Sequence, residues 1–216
     1  MVKAVIFDFD GLLFNTEPVW GKTHSKFLKL KNFSDVEVGD TTGIGLREFI
    51  EILQSKGLAG KTSDLLSEYR EIFYETLKGS QDLLMPGAME VLKKAREKSL
   101  VISLNSGGHT EQKLKEMLAG ENVLDYFSVI VSSDNVAKGK PAPDVYLETL
   151  NKLNLDADSC LAFEDSVNGV KSALGANITV WGVNQDSGWR SDLIEAGAEK
   201  VYSSLAKVNY EIRLSS

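Results

Sequence analysis

The sequence predicts an α/β protein: a parallel sheet core with helices on both faces, and an all-helical subdomain inserted into it. Three observations carry that prediction. Continuous apolar runs of four or five residues recur along the chain, as strands buried on both faces require. Stretches with apolar residues at helical spacing lie between them, and strand–helix alternation leads to a parallel sheet with right-handed crossovers. One stretch, 15–82, breaks the alternation with helical patterns only. The layering is Rossmann-like.

The elements follow in order. AVIF (4–7) is the first strand. Three helical stripes come next: Trp20, Thr23, Phe27 and Leu30; then Leu46, Phe49, Ile50 and Leu53; then Leu65, Leu66, Tyr69, Ile72, Phe73 and Leu77. A whole crossover needs only about a dozen residues, so roughly 65 residues of helix are too many for one. The segment 15–82 is therefore expected to be a helical cap domain. Residues 1–14 and 83–216 are expected to form the α/β core, re-entered at Pro86-Gly87. A helix with Met89, Leu92 and Ala95 leads to strand LVISL (100–104). A helix with Leu114, Met117 and Leu118 leads to SVIVSS (128–133), and one with Tyr146, Leu147, Leu150 and Leu153 leads to CLAF (160–163). TVWGV (179–183) and the weaker KVYSS (200–204) complete the strands. There is no internal repeat and no low-complexity segment.

The 216 residues are 43% hydrophobic and 25% charged, which is ordinary for a soluble globular chain. A net charge of −7 disfavours nucleic acid and anionic membranes as partners. No apolar stretch approaches the ~18 residues of a membrane span, and no signal-peptide pattern is present. A cytoplasmic protein, monomeric, is expected. The single cysteine, Cys160, sits in the apolar run CLAF and reads as a buried thiol.

Ligands of an open parallel sheet bind beyond the carboxyl ends of its strands. Asp8, Asp10 and Gly11 follow the first strand; Asn105, Ser106, Gly107 and Gly108 follow the second. Lys138, Gly139, Lys140 and Pro141 lie beyond the third, and Glu164, Asp165 and Ser166 follow the fourth. Clustered carboxylates repel and are costly to desolvate unless a cation joins them. Oxygen ligands without histidine or cysteine suit a hard ion, and Mg²⁺ is the natural one. A lysine adds a point charge for phosphate, and Ser106 with the N–H groups near Gly107 and Gly108 offers an anion nest. The remaining aspartate oxygens supply a nucleophile and a general acid or base. The set points to metal-assisted phosphoryl transfer through an aspartyl-phosphate, with a small phosphorylated metabolite as substrate.

At these residues the chain resembles the haloacid dehalogenase superfamily, in its branch of small phosphatases and β-phosphoglucomutase-like proteins with a helical cap. DFDGLLFNTE resembles the first motif of that family, and the polar turn after the second strand stands at the second. KGKPAPDVY resembles the third and FEDSVNG the fourth, so the likeness spans nearly the whole chain. EPVW and GLRE resemble the sugar-phosphate phosphatases of the branch. The resemblance implies Asp8 as nucleophile and Asp10 as acid and then base, with the Asp10 backbone carbonyl on Mg²⁺. It implies Asp165 as a metal ligand with Glu164 supporting or joining it, so the metal set is Asp8, Asp10, Glu164 and Asp165. Lys140 would bridge Asp8 and the phosphate, Lys138 would be a surface lysine, and Arg47 in GLRE would be the cap's contact to substrate.

Two positions depart from the family. Asn15 stands where aspartate is usual and is expected to brace the hinge into the cap. Leu104 stands, in the ungapped reading, where a phosphate-binding Ser or Thr is usual, leaving Ser106, Asn105 or a shifted Ser103 to take over. At an unshifted pKa of about 3.9, Asp10 is only about a thousandth protonated at pH 7. Its acid role therefore calls for a raised pKa from cap closure or a proton delivered with the substrate, while Asp8 should stay ionised beside Lys140 and the metal. Ser166 is expected to cap the following helix. His109 reads as a solvent-facing or first-turn residue, His24 as a cap surface residue, and Trp20, Trp181 and Trp189 as packing.

The expected activity is a Mg²⁺-dependent phosphoric monoester hydrolase acting on a sugar phosphate. A phosphomutase of the β-phosphoglucomutase type is the alternative, differing in whether water or a sugar hydroxyl receives the phosphoryl group. A third reading is an impaired relative that only binds a phosphorylated ligand.

Overall fold

The computed structural model describes residues 2–38, 44–80 and 82–208. Residues 39–43 and 81 of the expected cap, and 209–216 of the expected core, lie outside the described residues. Six strands form one sheet: β1 (Ala4–Asp8), β2 (Val101–Ser106), β3 (Val129–Ser132), β4 (Cys160–Glu164), β5 (Thr179–Val183) and β6 (Lys200–Tyr202). Their order is β3-β2-β1-β4-β5-β6, and every pairing is parallel. The chain moves outward from β1 to β3 and then returns to the other side of β1. That reversal opens a crevice at the carboxyl ends of β1 and β4.

Strand residues alternate between two apolar layers, because successive side chains point to opposite faces. Val5 and Phe7 join one core with Leu104, Leu161 and Phe163; Ala4 and Ile6 join the other with Cys160 and Ala162. Helices α4 (Ala88–Glu97) and α5 (Glu111–Gly120) cover the first face. Helices α6 (Asp144–Leu153), α7 (Val167–Gly175) and α8 (Ser187–Glu195) cover the second. Phe7 and Phe163 are fully buried and stack at 4.9 Å between centroids. Burying each such side chain is worth about 1.5–3 kcal/mol. The helical stripes were less regular than their spacing: Leu30 and Leu147 are exposed, at 58% and 49%.

Between β1 and α4 lie α1 (Glu17–Leu30), α2 (Leu46–Ser55) and α3 (Thr62–Leu77). They share an apolar cluster of their own that includes Phe27, Ile50, Leu53 and Tyr69. Entry and exit of this segment run side by side. The Asn15 N–H donates to Leu83 O at 2.8 Å, and the Met85 N–H to Leu13 O at 2.8 Å. The hinge is thus held by backbone; the Asn15 side chain is exposed and makes no hydrogen bond to a described residue.

Candidate active site

The alternation that buries Ala4 and Ile6 puts Asp8 on the same side of the sheet, at the mouth of the crevice. Lys140 reaches it from the loop after β3. Its Nζ donates to Asp8 Oδ1 and to Glu164 Oε1, each at 2.5 Å, and the Tyr146 hydroxyl donates to the same Glu164 oxygen at 2.5 Å. Burial alone would lower the Lys140 pKa, but the two carboxylates outweigh it and hold the ammonium above its ordinary range. Ser166 accepts from the Gly169 N–H at 3.1 Å and caps α7, so Asp165 is presented at a rigid helix start.

Carboxylate oxygens of Asp8, Glu164 and Asp165 lie within 4.8 Å of one another, all three buried. From the protein's own groups, burial, opposed by Lys140 and aided by the Glu164 and Asp10 charges, leaves Asp8 raised to about 8. Burial and then the Asp8, Glu164 and Glu17 charges raise Asp165 well above the carboxylate range. Lys140 alone therefore does not hold Asp8 in the ordinary carboxylate range; the expectation that Asp8 stays ionised rests on a metal together with Lys140. Glu164 Oε2 is buried with no hydrogen-bond partner. An all-oxygen donor set with an unmet acceptor fits a hard divalent cation such as Mg²⁺. Gly11, at φ +76°, carries the chain past this group; a Cβ there would meet Asp165 Oδ2 at 2.1 Å.

The Asp10 carboxylate stands outside that trio. Its Oδ1 accepts from Thr16 Oγ1 at 2.6 Å and Trp20 Nε1 at 2.8 Å, and lies 3.0 Å from His109 Nε2. Its Oδ2 accepts from Ser106 Oγ at 3.3 Å. Burial pushes its pKa up, but the His109, Thr16 and Trp20 interactions outweigh it and hold Asp10 at about 2. Of the two routes expected to an acid role, a raised pKa is not what these neighbours produce, which leaves a proton delivered with the substrate: donors around a carboxylate favour its charged form. His109 is likewise corrected, being fully buried, with Nδ1 3.1 Å from the Tyr74 hydroxyl of α3. Trp20 does more than pack.

At the end of β2 the expected turn residues Asn105 and Ser106 are still strand. Leu104 belongs to the apolar core, and Asn105, not Leu104, is the register partner of Asp8. Asn105 Oδ1 accepts from Thr149 Oγ1 at 2.6 Å, while its buried Nδ2 has no partner. An unpaired amide donor is thus left on the strand position that pairs with Asp8. Gly107 and Gly108 line the cavity above the acids. A Cβ on Gly108 would meet Trp20 Cζ2 at 2.6 Å, so this turn packs tightly under α1.

The cavity measures about 460 Å³, with Asp8, Asp10, Lys140 and Asp165 at its floor. Arg47 is partly exposed and is not among its lining residues; Leu46 and Phe49 of the same helix are. His24, expected on the surface, is half-buried and lines it. Other contacts tie α2 and α3 to the core. The Glu48 carboxylate accepts the Gly139 N–H at 2.6 Å, and Leu46 N–H donates to Gly107 O at 3.2 Å. Arg70 donates to Gly108 O at 3.1 Å and pairs with Asp134 at 2.8 Å. Lys138 is exposed, as expected. Sequence reasoning missed His109, Thr16, Tyr146, Glu48 and Arg70, although Thr16 sat in DFDGLLFNTE, Glu48 in GLRE and Tyr146 in KGKPAPDVY.

Residues 5–183 match the family model of the haloacid dehalogenase-like hydrolases. The chain belongs to that family. A phosphorylated carbohydrates phosphatase of Thermotoga maritima is 31% identical, over 91% of this chain and 92% of that protein. Hexitol phosphatase B of Escherichia coli K12 is 28% identical, over 82% of this chain and 81% of its own length. The crystal structure of a Thermotoga maritima protein described as a candidate β-phosphoglucomutase superposes with a TM-score of 0.67 at 27% identity, covering 93% of this chain and 94% of that one. Within the hydrolase family the chain thus sits in the β-phosphoglucomutase-like branch. None of its described helices is long and apolar enough to cross a membrane.

Proposed function

We propose that this haloacid dehalogenase-like hydrolase is a Mg²⁺-dependent phosphatase that cleaves a small phosphate monoester, a sugar phosphate in the broad sense, through an aspartyl-phosphate on Asp8. The observation that carries the reading is the juxtaposition of Asp8, Lys140, Glu164 and Asp165 at one strand-end crevice. Sugar-phosphate phosphatases among its relatives support it. The residues supporting Mg²⁺ are Asp8 and Asp165, with Glu164 beside them and the Asp10 backbone carbonyl as a further donor. Bound there, the ion would neutralise the carboxylates and polarise the phosphoryl group.

In this reading Asp8 Oδ attacks phosphorus and the bond from phosphorus to the substrate oxygen breaks. Lys140, already on Asp8, balances charge on the phosphoryl oxygens. Asn105 Nδ2 holds another of those oxygens. The departing alkoxide takes a proton through Asp10, drawn from the substrate phosphate or from His109. Water then attacks the phosphoaspartate, and Asp10, held ionised, takes its proton. Residues 15–82 act as the cap: α1 places Trp20 on Asp10, and α3 places Tyr74 on His109. The structural likeness to a candidate phosphomutase keeps transfer to a second hydroxyl as the competing reading. A phosphate-release screen over sugar and nucleotide phosphates, with Mg²⁺ or with chelator, tests the proposal. Activity that needs Mg²⁺ and disappears in Asp8→Asn is expected; activity surviving that substitution would refute the nucleophile.

A further inference from the structure

The floor and roof of the cavity differ in chemistry. The floor is the acids and Lys140; the roof, from α1 to α3, is Trp20, Ile44, Leu46, Phe49 and Tyr69 with His24. Among the described residues lining the cavity, Lys140 is the one permanent cation, and it is already committed to Asp8 and Glu164. Arg70, which reaches the cavity-lining Gly108, is spent on Asp134 and Gly108 O. A second phosphate, carrying about −1.5 to −2 charges at pH 7, would meet Asp10, Glu17 and Asp165 with no partner. A bare hexose would press several hydroxyls onto an apolar roof, and buried hydroxyls without partners are penalised.

The roof does offer two polar groups. Tyr69 is only 3% exposed, and neither its hydroxyl nor the His24 ring makes a hydrogen bond to another described residue. The aromatic rings stand together there: His24 and Phe49 centroids are 4.7 Å apart, Phe49 and Tyr69 5.6 Å, and Trp20 and Tyr69 5.9 Å. Burial keeps His24 on the neutral side of its usual range, so it serves as a hydrogen-bonding ring and not as a phosphate anchor.

Resting on the phosphatase reading, we propose that the substrate is a phosphate monoester whose alcohol carries a flat heteroaromatic ring, as a nucleoside 5′-monophosphate does, and is not a bisphosphate. The ring lies on the apolar roof, and its polar edge meets His24 and Tyr69. The phosphate drops to Asp8 and Lys140. That no second cation lines the cavity among the described residues also disfavours the phosphomutase reading, because phosphorylating a second hydroxyl of a sugar phosphate makes a bisphosphate.

The test is kcat/KM with Mg²⁺ for four probes: uridine 5′-monophosphate, glucose 6-phosphate, glucose 1,6-bisphosphate and p-nitrophenyl phosphate. Base–aromatic stacking of ordinary strength predicts at least about a tenfold preference for the nucleotide over the hexose monophosphate, with the bisphosphate below both. Phe49→Leu, which keeps bulk but removes a ring, should shrink the nucleotide-to-hexose ratio by about tenfold. A hexose phosphate or the bisphosphate ranking first, or a ratio unmoved by Phe49→Leu, overturns this proposal while leaving the phosphatase reading intact. Turnover of none of the four, p-nitrophenyl phosphate included, overturns both.

Discussion

Replacing Lys140 with methionine removes one charge from the most buried ionic group of the site. Its ammonium lies 2.5 Å from Asp8 and 2.5 Å from Glu164, and the three side chains are 5%, 9% and 0% exposed. Methionine matches the lysine stem without its terminal ammonium, so the loss is mainly electrostatic. Breaking a buried pair by removing one partner costs about 3–5 kcal/mol, because the other charge stays buried and uncompensated. For a chain of this size each kcal/mol moves Tm by about 2–4 °C, so the expected fall is roughly 6–20 °C. Two stranded carboxylates are relieved by taking up a proton, so the fall should be smaller at pH 5 than at pH 8. Adding Glu164→Gln to Lys140→Met removes one stranded charge and should return part of the loss. Circular-dichroism melts in chelator at both pH values measure all of this. A fall under about 2 °C at pH 8, or a double variant no better than the single, would refute the ion-pair argument.

Two further predictions concern the neighbouring acids. His109→Ala removes a hydrogen bond to a charged Asp10, worth about 1.5–3 kcal/mol, and should lower kcat on alkyl phosphates roughly 10- to 100-fold. The loss should be far smaller on p-nitrophenyl phosphate, whose leaving group departs without a proton; equal losses would mean that His109 is only structural. Asp8 is raised to about 8 in the folded chain without added metal, against about 3.9 unfolded. The folded state therefore binds the extra proton, and stability from this group is full below pH 4 and lost as pH rises toward 8. In chelator, wild-type Tm relative to Asp8→Asn should fall from pH 5 to pH 8, and Mg²⁺ should flatten the slope; a difference that rises with pH would contradict it.

Much of the fold was legible in the residues. All six runs are strands: β1 to β5 are largely buried and so nearly apolar throughout, while the weaker KVYSS is a short, partly exposed edge strand. The acids at 8, 164 and 165 and the lysine at 140 were legible for the complementary reason: charge at the end of such a run has to be answered by other charge. The end of β2 was not legible. Whether Leu104 or Asn105 stands beside Asp8 depends on strand register, and a one-residue slip reverses every side chain.

Sequence by itself determined the class of fold, the order of the strands along the chain and the four charged residues of the crevice, because apolar period and charge spacing are local properties. Only the tertiary structure decided what surrounds Asp10. Thr16, Trp20, Ser106 and His109 reach it from two separate parts of the chain, and His109, Thr16 and Trp20 reverse the direction in which burial alone would shift its pKa. The same holds for the roof of the cavity: Arg47 and Phe49 lie on one helix, and only the packing of α1, α2 and α3 turns Phe49 inward while leaving Arg47 off the cavity wall. Hydrogen bonding and packing act between residues distant in the chain, so no periodicity records them.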